Sequence, residues 1–192
     1  IGTKTSPSGG SGTNTPVSSS NNIYIGTRNY NGSPQYYWQG SLDDVRIYNK
    51  ALSAEQIQKI FISAEQNNRS AIINKGTITD LGAYTRNNVV YSQGQDNKYQ
   101  GALSFNGFND YITLDATKIR GHLHQKSFSI GFWVRFNSIP SIMQIIFDIY
   151  NAGSTNNIVA IALMSTNKIR FTFWSNPVDV GSIEIDNWYY IA

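Results

Sequence analysis

The chain contains no cysteine, which excludes disulfides, thiolate metal sites and thiol chemistry. Charge is sparse, at 14% of residues, and the net +3 is scattered without a Lys/Arg cluster. Nucleic-acid binding needs a concentrated basic face, so no nucleic-acid partner is expected. No apolar run approaches the roughly 20 residues that span a bilayer as a helix, and no membrane insertion is expected. What the chain does have is large aromatic side chains, 12 Tyr, 9 Phe and 4 Trp, together with 16 Gly and many β-branched residues. That mixture reads as strands with bulky buried faces joined by turns.

Residues 1–22 are rich in Ser, Thr, Gly, Asn and Pro and read as loop or linker. A short strand follows at 23–28, a turn in "NYNGSPQ", and a longer strand around 41–48. One helix is predicted over 54–64. Ser53 and Gln56 have capping-box spacing, and Ile57, Ile60, Phe61 and Ala64 recur at helical spacing. Its expected place is over one end of the sandwich. After a polar stretch at 65–74, strands dominate. Two are expected around an Asn106-Gly107 turn in 102–115, and 128–136 alternates with Phe128, Ile130, Phe132, Val134 and Phe136 on one face. Further strands are expected in 144–150, 157–165, 168–175 and near the end of "GSIEIDNWYYIA". The predicted class is all-β, a two-sheet antiparallel β-sandwich with one short capping helix.

The segments "GALSFNGFNDYITL", "SFSIGFWVRF", "IDNWYYIA" and "YYWQGSLDDVRIYNKALSAEQIQKIF" together resemble laminin-G-like (concanavalin A-like lectin/glucanase) jelly-roll domains. In that family the last of these closes a unit, yet here it comes first. The resemblance therefore implies permuted order, as if the chain were cut from a tandem array. Residues 1–64 match a C-terminal half, 65–74 a linker and 75–192 an N-terminal half. A half-sandwich exposes its apolar face and unpaired edges. The halves are thus expected to pack together or to complete neighbouring chains head to tail. The implied role is a non-catalytic extracellular module that binds glycans or surface proteins. A second reading is a repeat of a surface fibre, joined to copies of itself by half-domain exchange.

Alternation places Asp43 with Val45 and Ile47, and Asp110 with Ile112 and Leu114. A carboxylate on an apolar face must be hydrogen-bonded, paired or metal-bound. A structural calcium ion held by Asp43, Asp110 and Asn109 is one candidate, because calcium takes hard oxygen ligands and the family resemblance points the same way. A strand-end aspartate accepting backbone amides is the other. Asp44 can pair with Arg46. Tyr36, Tyr37, Trp38 and Trp174 are candidates for stacking on sugar rings, although for Trp38 and Trp174 core packing suits the sequence equally well. His122 and His124 sit at metal-ligand spacing but with no third ligand, which favours a plain loop. Glu184 and Asp186 match part of a glucanase carboxylate pattern, but Trp188 and Tyr189 stand where its partner carboxylate would be. No catalytic residue is assigned, and hydrolysis is kept only as a third reading.

Overall fold

The structure, a computed structural model, describes residues 22–30, 32–66, 85–87, 89–92, 101–115, 127–149, 159–173 and 176–192, with backbone alone for 62–66 and 85–87. Strands are numbered in chain order. The seven-stranded sheet runs β13 (Asn176–Val180), β12 (Ile169–Phe173), β11 (Val159–Leu163), β10 (Gln144–Ile149), β1 (Ile23–Ile25), β8 (Tyr111–Leu114) and β5 (Thr85–Asn87). The five-stranded sheet runs β14 (Trp188–Ile191), β9 (Ser129–Phe136), β4 (Gln39–Tyr48), β7 (Ala102–Asn106) and β6 (Val90–Ser92). A separate hairpin pairs β2 (Arg28–Tyr30) with β3 (Ser33–Gln35). The helix α1 covers Ala54–Gln66. Every pairing is antiparallel, and the architecture is the all-β sandwich the composition predicts.

The strands from residues 23–48 take inner positions in both sheets. β1 lies between β10 and β8, and β4 lies between β9 and β7. Ile23, Ile25, Trp38 and Leu42 share one buried interior with Phe132, Phe136, Phe147, Ile149 and Ile161. Deleting either strand would open a sheet at its centre and strip the apolar face of its neighbours. The alternation of β9 holds. Ile130, Phe132, Val134 and Phe136 face the core, while Trp133 lies on the outer face, where Phe61 of α1 covers it at 5.1 Å between ring centroids. Inside, the Trp38 ring meets Phe136 edge-on at 5.1 Å. It fits because residue 40 is glycine: a Cβ there would sit 2.3 Å from Trp38 Cζ2 and 2.4 Å from the Arg135 carbonyl.

Several local expectations are corrected. The register of β4 against β9 shifts between Asp43 and Arg46, where Asp44 has φ +51°. This bulge turns Asp43 to the outer face opposite Trp133, while Leu42 and Ile47 stay on the inner face opposite Val134 and Ile130. Asp43 therefore does not share a face with Val45 and Ile47. The two strands expected around the Asn106-Gly107 turn are present as β7 and β8, and that turn carries the chain from one sheet to the other. The stretch at 29–35, expected as a turn, folds largely into the β2–β3 hairpin. Helix α1 begins with the predicted capping box: Ser53 N–H donates to Gln56 Oε1 at 3.0 Å, and Gln56 N–H to Ser53 Oγ at 3.3 Å. It covers the outer face of the five-stranded sheet rather than an end of the sandwich, with Phe61 packed on Trp133 and Tyr190. β13 was not foreseen. Its Pro177 is tolerated because β13 is an edge strand, with one side free of ladder bonds. Among the described residues no helix is long and apolar enough to cross a membrane.

Candidate functional site

At the end of β1 the chain leaves the seven-stranded sheet, makes the β2–β3 hairpin and returns through 36–38 into β4. Backbone bonds fix both ends of this excursion. Gly26 N–H donates to Ile146 O (2.8 Å), Trp38 N–H to Gly26 O (2.9 Å) and Ile145 N–H to Tyr36 O (2.8 Å). Tyr36 itself is held at φ +57°, a left-handed conformation that is unfavourable for an aromatic L-residue. Such local strain collects where a side chain is being aimed.

Tyr36 and Tyr37 form one side of a cleft of about 510 Å³, and the β9–β10 loop forms the other. Gln39, Ser138, Gln144 and Ile142 line it together with Gly107, Ile139, Pro140, Ser141 and Met143, and none of these residues is charged. Ser138 Oγ donates to Gln39 Oε1 (3.1 Å), and Gln39 N–H donates to Gln144 Oε1 (3.4 Å). With both carbonyl oxygens occupied, these glutamines offer their NH₂ groups as donors. Ile142 is 63% exposed on the rim, and Phe108, next to Gly107, is 77% exposed. Aromatic faces beside a few polar groups are what a small-molecule or sugar site requires.

Behind the cleft, a row of tyrosines leads along the outer face of the seven-stranded sheet. Tyr37 lies 6.5 Å from Tyr111, and Tyr111 lies 6.3 Å from Tyr24. Burial raises the phenol pKa values of Tyr37 and Tyr24. Asn29 Nδ2 donates to Tyr24 Oη at 2.8 Å. Beside Tyr24 across the ladder is Asp148, whose side chain is fully buried. Arg28 Nε and Nη2 donate to its Oδ1 at 3.3 and 3.4 Å, while Oδ2 makes no hydrogen bond. Burial pushes the Asp148 carboxyl up to about 7, and the attraction and hydrogen bonds of Arg28 offset only part of that rise.

Tyr36 and Tyr37 are thus brought together in the cleft. Trp38 is not: its side chain is fully buried in the core, and no sugar can reach its ring. Trp174, His122 and His124 lie outside the described residues. Asp43 is not brought together with Asn109 and Asp110. Gln39 pairs with Asn106 and Leu42 with Leu103. Asp43 thus lies four residues along β4 from the Asn106 turn, about 13 Å away, and on the outer face. Asp110 serves the turn instead, its Oδ2 accepting from Asn106 N–H at 2.8 Å. Asn109 Oδ1 accepts from Asn106 Nδ2 at 2.8 Å. Among the described residues no group of three His, Cys, Asp or Glu is placed to hold a metal. Asp44 does pair with Arg46, at 2.8 Å. Glu184 and Asp186 are exposed in the turn before β14, where Asn187 Nδ2 donates to Glu184 Oε2.

The sequence reading missed Gln39, Ser138 and Gln144, which carry no signature of their own. It also passed over Asp148, although a lone carboxylate in the apolar run "QIIFDIY" was a visible anomaly.

The fold and cleft define an antiparallel β-sandwich with a tyrosine-walled groove that, among the described residues, no charged side chain lines. Residues 2–58 match the laminin-G-like family model described as the concanavalin A-like lectin/glucanases superfamily. That match covers the segment that supplies β1, β4 and the two cleft tyrosines. No curated protein and no solved structure matches the chain.

Proposed function

We propose that the protein is a non-catalytic extracellular module whose cleft binds an uncharged glycan. The observation that carries this is the pairing of Tyr36 and Tyr37 with Gln39, Ser138 and Gln144 in a groove that, among the described residues, no charged side chain lines. Pyranose rings present apolar C–H faces that stack on tyrosine, and hydroxyls that match amide and hydroxyl groups. Among the described residues uronates or sulfates would find no counter-charge there, and burying them unpaired is unfavourable. The superfamily match, whose description names lectins, supports the same class of ligand. We take the module as self-contained, with β1 and β4 completing the two sheets of one chain; a fibre built by half-domain exchange is the second reading.

The test is a nuclear magnetic resonance titration of the protein with neutral gluco-, manno- and xylo-oligosaccharides, and with uronate and sulfated oligosaccharides. Shift changes are expected at Tyr36, Tyr37 and Gln144 with at least one neutral series and are expected to vanish in Tyr37→Ala. A response confined to the acidic series, or one that maps away from the cleft, would overturn the proposal.

A further inference from the structure

The hairpin that precedes Tyr36 is tied to the seven-stranded sheet by two side-chain contacts outside the cleft lining. Arg28 bonds Asp148 on β10, and Asn29 bonds Tyr24 on β1. Thr27, fully buried at the hairpin's root, donates its hydroxyl to Gln35 O at 2.8 Å, directly before Tyr36. The segment from Thr27 to Tyr36 is therefore a closed strap. Gly26, just before it, and Tyr36, at its end, bond the backbone of β10 at Ile146 and Ile145, and Arg28, near its start, bonds Asp148 two residues beyond Ile146.

We infer that the Arg28–Asp148 pair is a positioning device for the cleft, holding the strap so that Tyr36 and Tyr37 face Gln39 and Gln144. The inference rests on the cleft being the binding site. Neither Arg28 nor Asp148 lines the cleft. Asp148 belongs to this device by geometry: it is fully buried, its Oδ1 accepts from Arg28 of the strap, and its Oδ2 has no hydrogen-bond partner. Among the described residues, the titratable or charged groups facing it are Arg28 from β2 and Tyr24 from β1. β11 presents Ala160 and no ionisable side chain. A change in the charge of Asp148 alters the ion pair itself, and so the strap and the backbone of Tyr36. The carboxyl of Asp148 sits near neutrality, so that change falls in an accessible pH range.

Amide hydrogen exchange of the intact chain tests this without any sugar, so a failed glycan titration and a failed strap are separate results. The reporters are Ile145 N–H, bonded to Tyr36 O, and Trp38 N–H, bonded to Gly26 O. The control is Val134 N–H, in the five-stranded sheet. Arg28→Met is expected to lower protection at Ile145 and Trp38 about tenfold relative to Val134, equivalent to about 1.4 kcal/mol of local opening. Arg28→Lys, which keeps the charge, is expected to restore part of it. In the wild-type chain, protection at the two reporters is expected to change with pH at the same midpoint as the Asp148 carboxyl carbon resonance. In Asp148→Asn that break is expected to disappear. Reporter protection unchanged relative to Val134 in Arg28→Met, or a pH break that survives in Asp148→Asn, would overturn the inference.

Discussion

Arg28 Nε lies 3.3 Å from Asp148 Oδ1, across 120 positions of sequence, and the carboxyl it touches is fully buried. Attraction at that distance would ordinarily hold an aspartate below its usual value. Here burial wins and the carboxyl rises to about 7. A paired charge whose second oxygen is unsatisfied is weak support for a fold.

Stability should therefore depend on pH through Asp148 in a defined direction. The unfolded chain releases this proton near pH 4, whereas the folded chain keeps it to about 7. The folded state binds the extra proton, so the stabilisation is complete below about pH 4. It is lost progressively as pH rises toward 7 and is level above that. Asp148→Asn should remove this slope and leave the protein more stable above pH 7, by on the order of 2–4 kcal/mol. Urea unfolding of both proteins from pH 4 to 8 measures the difference. A slope of opposite sign, or one shared by the variant, would count against a buried, proton-retaining Asp148.

Tyr36 joins a strained backbone to an exposed ring. Tyr36→Gly relieves the left-handed conformation while deleting the side chain, and glycine adopts φ near +57° freely. Melting temperature is expected to hold or rise slightly, whereas Tyr36→Ala is expected to be less stable than Tyr36→Gly by about 1 kcal/mol. Both should lose neutral-sugar binding. Retained binding in the glycine variant would remove Tyr36 from the site.

The alternation of β9 made its inner face legible, because each second residue from Ile130 to Phe136 is apolar and period two admits one solution. The capping box at Ser53 was legible for the same reason, as its chemistry is local. Asp43 was misplaced because a bulge at Asp44 inverts the alternation, and no residue type there demands a bulge. Asp148 was visible as an anomaly, but its partner 120 positions away was not. Trp38 and Tyr37 are neighbours of the same chemical kind. Only the close approach of Gly40 and Phe136 decides that one is core and the other cleft wall.

Asp110 is expected to act as a lock on the crossing between the sheets. Its carboxylate accepts from Asn106 N–H, while Asn106 Oδ1 accepts from the amides of Phe108, Asn109 and Asp110 at 2.8, 3.1 and 3.3 Å. Asp110→Ala removes the charge-assisted acceptor of the Asn106 amide and should destabilise by about 1–3 kcal/mol. Because Asp43 and Asp110 are apart, millimolar calcium is expected to leave the loss unrepaired and the wild-type melting midpoint unchanged. A calcium-dependent rise in the wild-type midpoint that Asp110→Ala abolishes would reinstate the aspartate as a metal ligand.

Gly40 tests the close packing of the core beside the cleft wall, whose tyrosines stand three and four residues before it. A methyl group there would fall 2.3 Å from the Trp38 ring and 2.4 Å from the Arg135 carbonyl. The ring is wedged against Phe136 and the carbonyl belongs to the central ladder of β4 and β9, so neither can yield cheaply. Gly40→Ala should destabilise by about 2–4 kcal/mol, at or beyond the usual upper range for overpacking. Gly32→Ala is the control. It has φ +85° with no atom within 4 Å, so it carries only the backbone term of about 1 kcal/mol. If the two variants unfold at the same denaturant concentration, the Trp38 ring does not occupy the space above Gly40.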